Sequence, residues 1–438
     1  MQDWQQTLRV LWLVQFLTTL AMNLGLTFVP FYLAEDPVLR VESDSARAVY
    51  TGLILAGPFF TTIVFTPLWG WVADRTGPKQ QVVRACLGLG LTQLLMAVAQ
   101  SADQMVIIRM VQGMISGVLA ACLGLIAVVT PNSHQGRAIA VLQSATPAGQ
   151  IFGPLLGGVL AVTMGFRFTY ALLGGVILIT GLLCWLLLRQ KGFVPKVSPN
   201  PFVGLWGAAR RALKQPLLRQ AFGILVLGQF AFTVAQAVLA IYAGKLIAAW
   251  VAESGAVPAW WNTGVGFTAM VMTLTGTASV LSSAWWGWLH DARVPFLTPI
   301  GATLMAVSML VLVFWPPWWV VLLSRLGTGA GIAPTSTLQY AIISGGADPA
   351  ERSQSLGLAT ALTHLGNLIG FVLGGILAAW WAEAGNFAVA AGCYVLIGIA
   401  TLQLEIRLRQ AKPASARSSE DANLPTARQE RIAVVGSK

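Results

Sequence analysis

The sequence predicts an all-α, polytopic integral membrane protein of about twelve transmembrane helices, arranged as two six-helix pseudo-symmetric bundles. Three observations predict it: a shortage of charge, apolar runs of spanning length from end to end, and an internal repeat. Of the 438 residues, 56% are hydrophobic and only 10% charged, and the mean hydropathy is +0.71. A soluble domain carries about 25% charged residues, so the apolar excess must face lipid.

Runs of roughly twenty apolar residues cross ~30 Å of hydrocarbon. They fall near 8–33, 50–73, 80–100, 104–130, 136–162 and 166–189, then near 218–250, 263–288, 296–314, 317–343, 354–381 and 385–408. None alternates polar and apolar residues as barrel strands do. The first run is too long for a cleaved signal peptide and has no A-x-A site before Pro30. Cys86, Cys122, Cys184 and Cys393 all fall within spans and read as small buried residues without a disulfide framework.

The net charge of +11 raises the question of a nucleic-acid partner, and its distribution answers it. With the N-terminus inside, 21 of 27 Lys/Arg lie in cytoplasmic segments; Arg40, Arg47, Arg167 and Lys245 lie outside, and Arg109 and Arg325 within spans. This positive-inside bias places both termini in the cytoplasm. It argues for a lipid bilayer as the partner and against nucleic acid.

Residues 190–217 form a basic cytoplasmic linker between an N-terminal bundle (1–189) and a C-terminal bundle (218–408). Residues 409–438, rich in Ala, Ser, Arg and Glu, read as a disordered cytoplasmic tail. The halves are related. TPAGQIFGPLLGGVLA (146–161) returns 217 residues later as THLGNLIGFVLGGILA (363–378), with eight of sixteen positions identical. The same offset relates Gly70–Asp74 to Gly287–Asp291, and an offset of 216 relates Arg109 to Arg325.

Between spans two and three the chain reads Gly70-Trp-Val-Ala-Asp74-Arg75-Thr-Gly77-Pro-Lys79. This resembles the cytoplasmic loop motif of the major facilitator superfamily, departing from it at Val72 and Pro78. The resemblance implies a gating loop, with Asp74 as a latch and a second copy around Asp291 and Arg293. A solvated turn with a positive-inside charge cluster is the simpler reading of the same residues. In span four, Arg109-Met-Val-Gln112-Gly113 resembles the R-x-x-Q-G motif of proton-coupled branches. Arg109, Gln112 and Ser116 fall on one face of a continuous helix. Arg109 alternatively snorkels from the outer end of its span.

Span five carries Gly149, Gly153, Pro154, Gly157 and Gly158, similar to the motif of the superfamily's exporting antiporters. Glycines at i, i+4 and i+8 admit a neighbouring helix closely, and helix packing alone would explain them. The second copy (Gly366, Gly370, Gly374, Gly375) has Phe371 where the proline would be.

By the same resemblance, spans one, four, seven and ten face a substrate cavity. Gln15, Thr19 and Asn23 share one side of span one. Gln229, Thr233 and Gln236 form a stripe on span seven, and Arg325, Ser336, Gln339 and Tyr340 one on span ten. Gln143 and Gln150 share a face of span five; Thr360, His364 and Asn367 share one on span eleven. Each alone reads first as an interhelical hydrogen bond rather than a ligand contact, and their repetition on inward faces is what favours a polar cavity. No acid sits mid-span, which leaves His364, the one in-span histidine, as a titrating group suited to proton exchange. Such a histidine also serves purely structural roles. A cavity with Arg109 and Arg325 fits neutral, zwitterionic or anionic substrates. The tryptophans at span ends are interfacial anchors.

The resemblance thus implies an inner-membrane secondary exporter that exchanges small molecules for protons by alternating access, as a monomer. An exporter of one endogenous metabolite, such as a siderophore, and an importer or uniporter of sugars or organic acids are the alternatives. A membrane enzyme or receptor is disfavoured, because no nucleotide loop, nucleophile triad or metal-ligand cluster is visible. No cofactor is implied.

Overall fold

The structure is a computed structural model that describes residues 4–131, 134–188, 206–207, 209–210, 214–254, 263–291, 297–346 and 352–411. Among these no strand occurs. The helices are α1 (Trp4–Glu35), α2 (Asp44–Thr76), α3 (Pro78–Val98), α4 (Ala102–Ile115), α5 (Val118–Val129), α6 (Gln135–Gln143), α7 (Ala145–Met164) and α8 (Phe166–Leu187). Then come α9 (Pro216–Ser254), α10 (Gly264–Asp291), α11 (Leu297–Leu312), α12 (Trp318–Gly346) and α13 (Arg352–Ala411). Among the described residues nine segments are long and apolar enough to cross a membrane, the last running from Gly357 to Ile406. That last segment turns back at Ala382, whose φ of 56° and ψ of −176° are not helical, so it crosses twice. With α11 and α12, twelve crossings result, as the apolar runs predict.

Local chemistry sets the ends. Ser43 and Ser101 accept the backbone N–H of Ala46 and Gln104, capping α2 and α4. Gly77, at φ 92°, turns α2 into α3 in a left-handed conformation that a side chain resists, and Pro78 opens the next helix.

One span differs from the sequence expectation of an unbroken helix. Span five passes from α6 to α7 at Ser144 without a break, since Ser144 keeps helical φ/ψ (−64°, −18°), its N–H bonds Ala140 O and its carbonyl accepts from Ala148 N–H. Span four breaks at Ser116–Gly117, where Gly117 has φ 115°, so Ser116 leaves the helical face it was expected to share with Arg109 and Gln112. A break frees carbonyl groups, which a membrane interior does not tolerate unpaired. Neighbouring spans supply the donors. Trp69 Nε1 donates to Met114 O at 2.6 Å, and Arg84 donates to Ile115 O at 3.1 Å and Ser116 O at 3.3 Å. The Arg84 guanidinium lies 3.3 Å from the centre of the Trp69 ring. In the second half Trp286 Nε1 likewise donates to Ala330 O at 2.7 Å, the same contact displaced by 217 and 216 residues. Arg84 there becomes Gly301, against which Pro334 packs.

Each half has its own apolar core. One gathers Leu11, Phe28, Tyr32, Cys86, Leu125 and Tyr170, the other Val234, Tyr242, Phe267, Met305, Phe387 and Tyr394. At the end opposite the first turn of α1, Arg167 clamps the first core. It donates to Asp36 Oδ2 at 2.8 Å and Oδ1 at 2.9 Å, and to the carbonyls of Ala97 and Ala99 at 3.0 Å each.

Burial alone would raise the Asp36 carboxyl. Its hydrogen bonds from Arg167 and from the N–H groups of Leu39 and Val38 more than offset that and hold it below the ordinary carboxylate value. A depressed carboxyl contributes stability that is complete above its unfolded pKa of about 3.9 and is lost as pH falls through the lower folded value. Asp36→Asn should therefore lower stability at neutral pH by about 1–3 kcal/mol and blunt the acid-side loss of Tm. Thermal unfolding in detergent between pH 7 and pH 3 measures both.

Candidate translocation site

The geometry that matters lies on the glycine stripes of α7 and α13. Gly149, Gly153 and Gly157 receive α1: a methyl on them would come within 2.7 Å of Thr19 Cβ, 2.9 Å of Leu20 O and 2.5 Å of Leu24 Cγ. Gly366, Gly370 and Gly374 receive α9 in the same way, against Gln229 Cβ (2.8 Å), Phe230 O (2.9 Å) and Ala237 Cβ (2.6 Å). The fourth glycine of each stripe lies about 100° further round its helix and faces the other half. Gly158 meets Ala269 of α10, while Gly375 meets the Ala48 carbonyl and Gly52 of α2. One motif therefore both builds each bundle and joins the two. Pro154 is buried, and α7 runs on through it.

Further contacts extend these two seams. Thr273 donates to Ile151 O at 3.3 Å, beside Gly276. Phe59 of α2 stacks on Phe371 (centroids 5.8 Å apart) and tilts against His364 (5.6 Å). Phe31 covers Gly244 and Gly264. At the rim, Lys245 pairs with Glu383 at 2.8 Å and reaches Asp44 of the first half at 3.7 Å. All of these lie between the end bearing Asp36 and Asp44 and the middle of the bundle. Towards the opposite end, described residues of α5 and α6 make no more than glancing contact with α12 and α13. Among the described residues the halves are sealed at one end and separated at the other.

The structure distributes the expected cavity residues unevenly. Gln15 is buried and donates to Thr19 at 2.9 Å and Thr146 at 3.1 Å, tying α1 to α7; its Oε1 has no partner. Asn23 donates to the Thr19 carbonyl. Gln143 and Gln150 are exposed and Gln229 and Gln236 half-buried, and the Gln150 backbone lies across the seam from Gly276. His364 and Asn367 stand three residues apart on α13 at the inner edge of the seam, with His364 Nδ1 and Asn367 Oδ1 buried and unpartnered. Gln339, Tyr340 and Asp291 lie on helices, but their side chains are outside the described residues, as is all of Arg293.

The two in-span arginines are not on the cleft. Arg109 is 4% exposed, sits beside Gly57 and donates to Gln112 at 2.9 Å, which in turn reaches Thr92. It does not snorkel. Arg325 is 1% exposed, with Met309 Sδ 3.5 Å from Nη2. Each guanidinium serves the interior of its own bundle, so the expectation that they select anionic substrates finds no support in this conformation. In the loop motif, Arg75 stacks 3.4 Å over Trp71 and Lys79 donates to Trp185 O at 2.9 Å. A methyl on Gly70 would meet nothing within 4 Å.

The seam partners on α2 and α10 were not among the expected site residues. A signal was present: Ala48, Gly52 and Ala56 recur at the spacing of a small-residue stripe on span two. Among the described residues no group of His, Cys, Asp and Glu could hold a metal ion.

The chain matches the family model described as Major Facilitator Superfamily over residues 11–251 and 254–434. It is 28% identical over 394 residues to proteins named Multidrug resistance protein MdtG in Salmonella newport (strain SL254) and Salmonella choleraesuis (strain SC-B67). Each match covers 89% of this chain and 93% of the relative. Solved structures share the fold at low identity. The nucleoside transporter NupG superposes with a TM-score of 0.74 at 12% identity, covering 91% of this chain and 98% of that one. A D-xylose-proton symporter gives 0.65 at 19%, covering 89% and 96%.

Because the seams rest on backbone approach, Gly158→Val and Gly375→Val should each push the halves apart at the sealed end. Overpacking of this kind costs about 1–3 kcal/mol. Spin labels at Arg40 and Glu253, exposed on opposite halves, should report a longer distance in either variant than in the parent.

Proposed function

The chain belongs to the major facilitator superfamily, and we propose that it is a secondary exporter that moves small molecules out of the cytoplasm in exchange for protons. The family and the named relatives are transporters, and the chain is a multi-pass membrane protein. The observation that carries the proposal is the pair of glycine seams, which seal the halves at one end while the other stays apart. A protein sealed on one side and open on the other is in one of the two states that alternating access requires. The distribution of Lys and Arg supports termini and an open end on the cytoplasmic side. The conformation is then inward-open, with substrate entering between α5, α6, α12 and α13.

Several features support export. The proline-containing glycine motif of α7 is the seam itself, and the relatives carry the name multidrug resistance protein. Substrates are neutral or weakly charged small molecules, since the described cleft offers amide and imidazole groups rather than carboxylates. His364 is the coupling group: it lies where the seam ends and the cleft begins, so closing or opening the seam changes its access to water. The protein works in the bacterial inner membrane, as a monomer, with lipid, substrate and protons as its partners and no nucleic acid.

Transport in proteoliposomes with an imposed proton gradient tests this. His364→Ala should abolish gradient-driven movement of a fluorescent drug while leaving the protein folded by thermal unfolding. Full-rate export in that variant would sink histidine coupling. Movement of the drug down its own gradient, unaffected by a protonophore, would overturn exchange altogether. Arg109→Ala should instead cost stability, because it leaves Gln112 Oε1 unpaired inside the first bundle.

A further inference from the structure

At the sealed end, where α1 stops, α7 turns into α8 and α10 begins, a cavity of about 490 Å³ opens between the halves. The seam separates it from the cleft: Gly158 meets Ala269 there, and Phe31 covers Gly264. Its walls are apolar and come from both halves. Val162, Met164 and Phe168 are contributed by the first half and Val265 by the second. The first three keep 48%, 55% and 50% of their surface exposed, which is surface a ligand could cover.

The charge at its rim is unbalanced. Asp36 and Arg167 line the cavity, but they satisfy each other, and Arg167 also binds the carbonyls of Ala97 and Ala99. Glu35 lines it too, is exposed, and has neither an ion pair nor a hydrogen bond among the described residues. One carboxylate is thus available above an apolar wall, in a volume within the range of small-molecule sites. A neutral ligand would leave that carboxylate unused, and an anion would be repelled by it. An organic cation gains from both the wall and the charge.

We propose that this cavity binds amphipathic organic monocations, with Glu35 as their counter-ion. Because the walls belong to both halves, a bound cation bridges them and holds the sealed conformation. It acts as a brake on transport rather than as cargo, and it does not depend on which molecule the central cleft carries or on proton exchange.

Tetraphenylphosphonium is a suitable probe, and Val162→Cys a suitable reporter, in the purified full-length protein. Cys86, Cys122 and Cys184 are buried and Cys393 half-buried, so labelling by a maleimide should be dominated by the new thiol. The probe should slow that labelling. Adding Glu35→Gln should raise the concentration needed for half-protection about tenfold, the loss expected for one partly desolvated ion pair, whereas Glu35→Asp should retain most of the protection. Met164→Trp, which fills the cavity without touching the carboxylate, should also remove it. Protection that is unchanged in both Glu35→Gln and Met164→Trp would overturn the assignment. So would protection of a thiol at Gln150 in the cleft with none at Val162. In spin-labelled protein, the probe should narrow the distance distribution across the sealed end; broadening would contradict the bridging role.

Discussion

Everything in this fold depends on how closely two helix backbones can approach in lipid. Apolar side chains gain little by leaving acyl chains for one another, so helix association rests on van der Waals contact and on hydrogen bonds. Glycine at every fourth position allows that contact, and here two stripes do it on two faces each. Three glycines of α7 hold α1 inside the first bundle, and the fourth meets α10 across the seam. The α13 stripe repeats the arrangement with α9 and α2. A side chain at any of these positions would collide with a backbone carbonyl or with a side-chain carbon of the facing helix. The same short motif therefore fixes the shape of each half and the surface on which the halves meet.

The second constraint is that backbone polar groups must be paired wherever the helix is interrupted. The first half interrupts span four with a left-handed glycine and pairs the freed carbonyls through Trp69 and Arg84. The second half keeps the tryptophan contact but replaces the arginine with Gly301 and places Pro334 in the vacated space. Both repeats thus weaken their fourth helix at one level, with different residues. Lys245 sits at the rim, where water limits the cost of charge, between an acid of each half.

Polar groups inside the bundle divide into two kinds. Most bond locally: Gln15 to Thr19 and Thr146, Arg109 to Gln112, and Asn386 to the carbonyls of Val234 and Gly374, although Gln15 Oε1, Arg109 Nε and Nη2 and Asn386 Oδ1 stay buried without a partner. These specify packing. His364 and Asn367 are of the other kind: their Nδ1 and Oδ1 are likewise buried and unpartnered, but they stand at the edge of the seam rather than inside one bundle. Leaving such atoms unpaired costs free energy unless a water or ligand meets them, which is why the site is placed there.

Composition and the repeat by themselves determined the fold: a chain this poor in charge must expose apolar helices to lipid, and a motif repeated at an offset of 217 residues must build two similar bundles. The loop between α2 and α3, the glycine stripe and its second copy were all legible, because helix packing in lipid is a matter of local spacing. Where polar side chains point was not. Arg109 and Arg325 lie on faces that a helical wheel assigns to the pathway, yet both turn into their own bundles, since the direction of a face depends on which neighbours surround it. The break at Gly117 was equally hidden, because a glycine within an apolar run is compatible with an unbroken helix until other spans supply donors for the freed carbonyls. Only the tertiary structure decided that the fourth glycine of each stripe closes a seam, that the seam ends at His364, and that a carboxylate with no partner among the described residues stands above a cavity at its rim. Those are relations between residues up to two hundred positions apart, and no spacing along one helix encodes them.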